Sequence, residues 1–93
     1  MIVSFRDAKT ETIWNGRRSR RLPGDIQAVA LRKLRLLNNA GRLDDLRVPP
    51  GNRLEALAKD RRGQHSIRIN DQWRICFVWR DGHAHEVEII DYH

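Results

Sequence analysis

The residues best suited to chemistry in this sequence are two arginines in its second half, Arg68 and Arg74, and the three that end it. Those three are Asp91, Tyr92 and His93. Histidine transfers protons near neutral pH, and arginine can bind two phosphate oxygens at once. Such a set can cleave RNA without a metal, because the 2′-hydroxyl of RNA can attack the adjacent phosphate once a base removes its proton. An acid then protonates the departing 5′-oxygen, and the cations stabilise the phosphorane.

Two predicted strands would place these arginines opposite each other. In residues 64–79, QHSIRINDQWRICFVW, apolar residues alternate with polar ones, as in half-buried strands. A three-residue turn sets Ile67 opposite Ile75 and makes one face of the hairpin apolar. The same register sets Arg68 opposite Arg74 on the other face. Because opposed like charges destabilise a sheet, we interpret the pair as a place where an anion is bound.

A final strand is predicted for residues 84–92, which continue the same alternation almost to the last residue. To keep the apolar face continuous, the connection at residues 81–83 would be a three-residue loop. In that register Tyr92 lies diagonally beside Arg74. The C-terminus is therefore expected near the two arginines rather than in a frayed end.

The first half of the chain supplies an edge strand and two helices. Residues 2–5 predict the strand, and Asp7 can cap a helix that runs through Trp14. A longer helix begins at Pro23, which suits the first helical position, and its apolar residues recur at helical spacing. This stripe is expected to pack across the apolar face of the sheet, with Lys33 on the side that faces water.

Further basic residues lie in segments without a clear periodicity. Residues 52–63 are charged and irregular, and their basic side chains are free to meet an anion. We expect four of them to bind RNA: Arg53, Lys59, Arg61 and Arg62. The run between the helices, residues 17–21, is equally consistent with a solvated linker and with a contact to the phosphate backbone.

The composition favours a single basic domain over residues 1–93. The formal net charge of +6 indicates a polyanionic partner, with nucleic acid preferred over an anionic membrane surface. The one cysteine, Cys76, excludes an internal disulfide and favours a reducing compartment. No apolar run has the length of a signal peptide or of the roughly 20-residue span of a membrane helix. A cytoplasmic protein without membrane contact is therefore expected.

Other kinds of site are not indicated by the sequence. The pair His83 and His85 lacks carboxylate or cysteine partners at metal-ligand spacing, so no metal site and no cofactor are expected. The chain has no phosphate-binding glycine loop and no glycine-flanked serine nucleophile. Cys76 is expected to pack inside a strand, and Glu88 is expected to face solvent on the last one.

Three blocks of the sequence, GNRLEAL, INDQWRICF and the terminal DYH, are specific in combination. With the run over residues 49–79 and the LPGDIQAVALRKL helix, they resemble the plasmid-maintenance killer group of the RelE superfamily, to which HigB-type toxins belong. The resemblance implies a RelE-like α+β fold of order β-α-α-β-β-β, in which an antiparallel β-sheet is flanked by two N-terminal helices. It also implies a bacterial toxin of a type II toxin–antitoxin system that cuts mRNA in the ribosomal A site and so inhibits translation and growth.

The same resemblance implies partners and site residues. A cognate helix-turn-helix antitoxin, HigA-like, would silence the toxin, and operator DNA would be bound only through the complex of the two. Arg74 matches the phosphate-stabilising arginine of the group. Its functional C-terminus is matched by Asp91, Tyr92 and His93, of which His93 is the candidate for proton transfer. Arg68 is added to this catalytic set from the strand register alone.

One position departs from the pattern of the group. Some members carry a catalytic histidine and then a lysine before the first strand of the hairpin. This chain has Glu55 and Ala58 at about those places, with Lys59 one step later. Glu55 could therefore act as a base or be a surface carboxylate. Two further hypotheses stay open: a non-catalytic RNA- or ribosome-binding module that inhibits translation by occupancy, and an interaction domain for an acidic protein.

Overall fold

The computed structural model describes residues 1–92 and shows two helices followed by a four-stranded antiparallel sheet. The helices are α1, Ala8–Trp14, and α2, Gly24–Asn39; the strands are β1, Glu55–Ala56, β2, His65–Arg68, β3, Trp73–Arg80, and β4, His83–Asp91. The segment between α2 and β2 also contains short 3₁₀ helices at Leu43–Arg47, Pro50–Asn52 and Lys59–Arg61. The strands lie side by side in the order β1-β2-β3-β4. None of the helices in residues 1–92 is long and apolar enough to cross a membrane.

Both helices form where the sequence predicts them. The N-terminus of α1 is capped by Asp7, whose Oδ1 accepts a 2.9 Å hydrogen bond from the backbone N–H of Thr10. The hydroxyl oxygen of Thr10 accepts a 2.9 Å hydrogen bond from the N–H of Ile89, which joins α1 to β4. Helix α2 begins at Gly24, with Pro23 immediately before it.

The hydrophobic core lies between α2 and the sheet, as the periodicity predicts. The buried residues of α2 and the buried apolar residues of β2, β3 and β4 form one cluster. It is centred on Ile26, Ala30, Leu34, Leu37, Ile67, Ile75, Phe77, Val87 and Ile89. Each fully buried large side chain contributes about 1.5–3 kcal/mol relative to its exposure to water. The cluster therefore fixes the position of α2 relative to the sheet.

The predicted N-terminal edge strand is wrong. The N-terminal segment pairs with β4 as two isolated parallel bridges, Ile2 with Ala84 and Phe5 with Val87, and not as a strand. A bulge at Glu86, whose φ is +51°, separates these bridges and interrupts any continuous ladder on that side of β4. The order of elements is therefore α-α-β-β-β-β and not β-α-α-β-β-β.

The fourth strand comes instead from a segment that the sequence predicts to be irregular. Strand β1 pairs antiparallel with β2, with Glu55 opposite Ser66 and Ala56 opposite His65. It is only two residues long because 3₁₀ helices lie on both sides of it in the chain. Its pairing puts Glu55 in the same cross-strand row as Ser66, on the face of the sheet turned away from α2.

The register of the β2–β3 hairpin is as predicted. Ile67 pairs with Ile75, and Arg68 pairs with Arg74 on the face turned away from α2. The turn is stabilised by Asn70, whose Oδ1 accepts hydrogen bonds of 2.9 and 2.8 Å from two backbone N–H groups that follow it. The two arginines therefore start from neighbouring strands at the same level of the sheet.

The β3–β4 connection differs from the prediction. It is a two-residue turn, Asp81-Gly82, with both residues at positive φ, rather than a three-residue loop. Asp-Gly is well suited to this tight turn of a hairpin. The bulge at Glu86 then adds the residue that returns Val87 to the core face.

Lys33 is buried, at 7 % exposure, whereas the sequence predicts that it faces water. Its Nζ donates a hydrogen bond to Oδ1 of Asn52, a fully buried residue. The Nδ2 of Asn52 donates to the carbonyl oxygens of Leu46 and Val48 at 3.1 and 3.3 Å. Burial, and then the positive charge of nearby arginines, lowers the pKa of Lys33. This pair fastens the segment before β1 to α2 and so positions Arg53, which follows Asn52.

Candidate active site

A cavity of about 270 Å³ lies beside the β2–β3 turn. Its lining consists of Arg53, Arg68, Asn70, Asp71, Arg74 and Tyr92. Three of the predicted catalytic residues and one of the predicted RNA-binding residues therefore meet in one place. The lining contains three arginines and a single carboxylate, that of Asp71, and therefore carries a net positive charge. The cavity is thus suited to an anionic group such as a phosphate.

Arg74 is held firmly within this cavity, with 7 % of its surface exposed. Its Nε donates a 2.7 Å hydrogen bond to Oγ of Ser66, and its Nη2 donates a 2.6 Å hydrogen bond to the carbonyl oxygen of Arg53. The guanidinium carbon lies 5.4 Å from the centre of the Tyr92 ring, a cation–π distance. No carboxylate of residues 1–92 forms an ion pair with it. Its positive charge is therefore available to a ligand.

The opposed Arg68 is neutralised within the protein. Its Nη2 donates a hydrogen bond to Oδ1 of Asp71 in the turn, while Arg74 is directed to Ser66. The fold thus relieves the like-charge contact without a bound anion, so the register alone does not require one, contrary to our interpretation of the sequence. The argument for an anion rests instead on the unpaired charge of Arg74.

Tyr92 connects the cavity to Glu55 on β1. Its hydroxyl donates a 3.1 Å hydrogen bond to Oε1 of Glu55, and its backbone N–H donates a 2.7 Å hydrogen bond to the carbonyl oxygen of Gln72. The hydrogen bond to Glu55, and then the charge of that carboxylate, raises the pKa of Tyr92. Glu55 is exposed, yet it contacts a residue that lines the cavity.

Because the chain contains a single tyrosine, the absorbance of tyrosinate reports Tyr92 alone. We expect Glu55→Gln to lower the pH at which Tyr92 loses its proton, since it weakens the hydrogen bond and removes the negative charge that raise the pKa. A spectrophotometric titration of wild type and variant measures this. The control, Glu11→Gln, changes an exposed carboxylate on α1 and is expected to titrate as wild type does. Equal midpoints for wild type and Glu55→Gln would contradict the contact.

Asp91 flanks the cavity rather than lining it. It is exposed at the end of β4, where its Oδ2 accepts a 3.0 Å hydrogen bond from Nε2 of Gln72. It is also paired with Trp73 across the β3–β4 ladder, and this pairing positions the backbone of the next residue, Tyr92. His93, the predicted proton-transfer residue, lies outside the described residues.

Arg61 differs from the other predicted RNA-binding residues because it pairs with a buried carboxylate. Its Nη1 donates hydrogen bonds of 2.7 Å to Oε1 of Glu88 and 3.1 Å to Oε1 of Gln64. The hydrogen bond to Glu88 raises the pKa of Arg61. Glu88 is 9 % exposed, whereas the sequence predicts that it faces solvent, and Arg6 at 3.9 Å is its second cation. The other three basic residues, Arg53, Lys59 and Arg62, are exposed.

Sequence reasoning missed three residues of this site: Ser66, Asn70 and Asp71. The register contained a signal for Ser66, because it lies diagonally across from Arg74 and within reach of a long side chain. Asn70 and Asp71 carried no such signal, since both residue types are common in turns for reasons of backbone geometry alone.

Cys76 packs in the sheet, as the sequence predicts. It is fully buried on β3, and burial raises the pKa of its thiol to about 11, so little thiolate exists at neutral pH. Among residues 1–92, no group of three or more His, Cys, Asp or Glu side chains comes together as a metal-binding cluster.

Comparison with known proteins identifies a family and two relatives of this chain. Residues 3–93 match a family model described as a RelE-like toxin of type II toxin-antitoxin system HigB. The chain is 41% identical over 85 residues to Toxin HigB-1 of Vibrio cholerae, and the alignment covers 90% of each chain. It is 30% identical over 67 residues to an uncharacterized protein of Haemophilus influenzae, which covers 72% of this chain and 66% of that protein.

The α+β fold and these matches define the toxin of a type II toxin–antitoxin system, of the RelE-like class. Within that class the chain belongs to the HigB-like family, whose toxins are ribonucleases. A toxin of this type implies a cognate antitoxin. The resemblance drawn from the GNRLEAL, INDQWRICF and DYH blocks is thereby confirmed.

Proposed function

We propose that this toxin is a ribosome-dependent endoribonuclease that cuts mRNA in the A site by attack of the RNA's own 2′-hydroxyl, and so inhibits translation and growth. The observation that carries the proposal is the guanidinium of Arg74, held in the cavity with no carboxylate partner among residues 1–92. A cation held in this way stabilises the developing charge of the phosphorane more than it stabilises the substrate. Because the nucleophile belongs to the RNA, we propose that cleavage is metal-independent.

The proposed roles divide between charge stabilisation and proton transfer. Arg74 stabilises the phosphorane. Arg68 on the neighbouring strand also lines the cavity, but its ion pair with Asp71 offsets its charge, so we assign it a lesser part in catalysis. Tyr92, with Asp91 and His93, forms the terminal group to which we assign proton transfer and stacking on an unpaired base. The hydroxyl of Tyr92 donates a hydrogen bond to Glu55, and the raised pKa of Tyr92 keeps the proton on this hydroxyl.

Binding of the mRNA on the ribosome is assigned to basic residues around the cavity. The net charge of +6 supplies long-range attraction to RNA. Arg53 lines the cavity, and Lys59 and Arg62 are exposed on the segment before β2. In the same segment Arg61 contributes to the positive field while its guanidinium is held by Glu88.

The partners that we propose follow from membership of the family. A cognate helix-turn-helix antitoxin binds and silences the toxin, and operator DNA is contacted only through the complex of the two. Residues 1–93 act as a single toxin domain. The activity belongs in the cytoplasm, where ribosomes and mRNA are found, and no membrane takes part.

The proposal is tested in a translation reaction on bacterial ribosomes with one defined mRNA, in which breaks are mapped by primer extension. We expect new 5′ ends at in-frame codons when toxin and ribosomes are both present, and none when ribosomes are omitted. An mRNA with a single 2′-deoxynucleotide at the mapped position is expected to stay intact there, because it lacks the nucleophile.

Arrested synthesis with intact mRNA would replace this proposal with inhibition by occupancy of the ribosome, which the same basic face supports. Cleavage at the 2′-deoxynucleotide would instead show that the nucleophile comes from elsewhere. If mRNA were cleaved to the same extent with and without ribosomes, the proposed ribosome dependence would be wrong, and the protein would still be an endoribonuclease.

A further inference from the structure

We propose that Ser66 is a positioning residue of this site, which orients the guanidinium of Arg74 so that Nη1 faces the scissile phosphate. The identity of the ligand as a phosphate rests on the proposed function, whereas the orientation rests on geometry alone. Ser66 is fully buried in β2, and its Oγ accepts the 2.7 Å hydrogen bond from Nε of Arg74. Apart from Arg74 itself, no residue that the sequence singles out as catalytic takes part in this contact within residues 1–92.

Two of the three guanidinium nitrogens of Arg74 are occupied by the protein. Nε donates to Oγ of Ser66, and Nη2 donates to the carbonyl oxygen of Arg53 at 2.6 Å and, at 3.5 Å, to that of Ser66. Nη1 has no hydrogen-bond partner within residues 1–92. Because Arg74 lines the cavity, Nη1 is the nitrogen left to meet an anion there.

The plane of the guanidinium is also held. The ring of Tyr92 lies against it, 5.4 Å from the guanidinium carbon. The carbonyl of Arg53 reaches Nη2 because Arg53 has a left-handed conformation, φ +45°, at the end of the 3₁₀ helix Pro50–Asn52. Contacts from three parts of the chain thus converge on one side chain, and Ser66 supplies the only side-chain acceptor among them within the described residues.

This arrangement orders the cation before the substrate arrives. A free arginine samples many rotamers, and a guanidinium that must be ordered during the reaction stabilises the transition state less. Without the hydroxyl of Ser66, the Nε–H of Arg74 would be buried without an acceptor, and the guanidinium would turn toward other acceptors or water. Loss of a hydrogen bond to a charged group corresponds to a rate reduction of about 10- to 100-fold.

The first test compares cleavage by Ser66→Ala, which removes the acceptor, with Ser66→Thr, which keeps it. Cys76→Ala is the matched control, because Cys76 is paired with Ser66 on the next strand and is equally buried. We expect the rate at saturating concentration to fall about 10- to 100-fold in Ser66→Ala, with an unchanged half-saturating concentration. Ser66→Thr and Cys76→Ala are expected to stay near the wild-type rate.

The second test does not depend on cleavage. It follows the exchange with water of the Nε–H of Arg74, identified in nitrogen-15 spectra by its loss in Arg74→Lys. Exchange is expected to be slow in wild type and Cys76→Ala, and fast in Ser66→Ala. Slow exchange in Ser66→Ala, or cleavage by it at the wild-type rate, would overturn the inference. If wild type cut no mRNA while exchange behaved as expected, the endoribonuclease proposal would fail and the orientation of Arg74 by Ser66 would stand.

Discussion

Replacement of Arg74 by alanine is expected to reduce the rate of ribosome-dependent mRNA cleavage by about 10²–10³-fold. The variant lacks the one guanidinium that is both fixed in the cavity and free of a carboxylate within residues 1–92. Its removal also leaves Oγ of Ser66 and the carbonyl of Arg53 without their donor, which lowers the free energy of unfolding by about 1–3 kcal/mol. Single-turnover cleavage measures the first effect, and circular dichroism verifies that the variant is folded.

A lysine at this position is expected to restore little. Its ammonium group cannot reach Ser66, Arg53 and a phosphate in one fixed geometry, as the planar guanidinium does. Arg80→Ala is the matched control, because Arg80 is an exposed arginine at the far end of the same strand. If Arg74→Ala cleaved mRNA at the wild-type rate, the assignment of Arg74 to the catalytic site would be wrong. An equal loss in Arg80→Ala would mean that net charge, and not position, determines the rate.

A large effect on stability is expected at Arg61. Arg61→Met should lower the free energy of unfolding by about 2–3 kcal/mol, because removal of one partner from a buried ion pair leaves an uncompensated charge. The effect falls below that of a fully buried pair, since the side chain of Arg61 is 36% exposed and Arg6 remains 3.9 Å from Glu88. Equilibrium unfolding in urea measures the difference.

The double variant Arg61→Met with Glu88→Gln separates the ion pair from the packing of the arginine stem. Most of the lost stability should return, because the buried charge is then gone together with its partner. Arg62→Met, at an exposed neighbouring arginine, is the control and is expected to change stability by less than about 0.5 kcal/mol. Equal losses in the Arg61 and Arg62 variants would contradict a structural role for the pair.

The parts of the site that lie on regular strands could be predicted from the sequence. Alternation along β2 and β3 is enough to place Arg68 opposite Arg74, because a shift of one residue would turn Ile67 and Ile75 out of the core. Tyr92 could be placed near Arg74 for the same reason. What alternation cannot report is where a long side chain turns once it leaves its strand, so the contact of Arg74 with Ser66 was missed.

Contacts between distant segments could not be predicted, since no local period encodes them. Lys33 and Asn52 are separated by 19 positions in the sequence, and Arg61 and Glu88 by 27. Charged side chains are mostly exposed, and Lys33 and Glu88 are buried only because their partners arrive from elsewhere in the chain. Their burial becomes visible only when the fold brings the partners together.

In the β3–β4 connection, the tight turn and the bulge have opposite effects on the strand register, so neither is visible in the pairing beyond them. A two-residue turn followed by one extra residue at Glu86 produces the same pairing of Ile75 with Ile89 as a three-residue loop without a bulge. The pattern of apolar residues beyond the bulge is therefore identical in the two arrangements. Only the preference of Asp-Gly for a tight turn distinguishes them in the sequence.

The carbonyl of Arg53 that binds Arg74 belongs to a segment, residues 43–53, that has only short 3₁₀ helices and is fastened to α2 through Lys33 and Asn52. We expect such a segment to open more often than the core strands do, in local fluctuations that leave the rest of the fold intact. Each opening withdraws this carbonyl from Arg74 while the strands keep their register. Under the proposed mechanism, the fraction of toxin molecules in which Arg74 is oriented for cleavage is then expected to depend on the local stability of this segment. Two variants with the same melting temperature can therefore differ in toxicity.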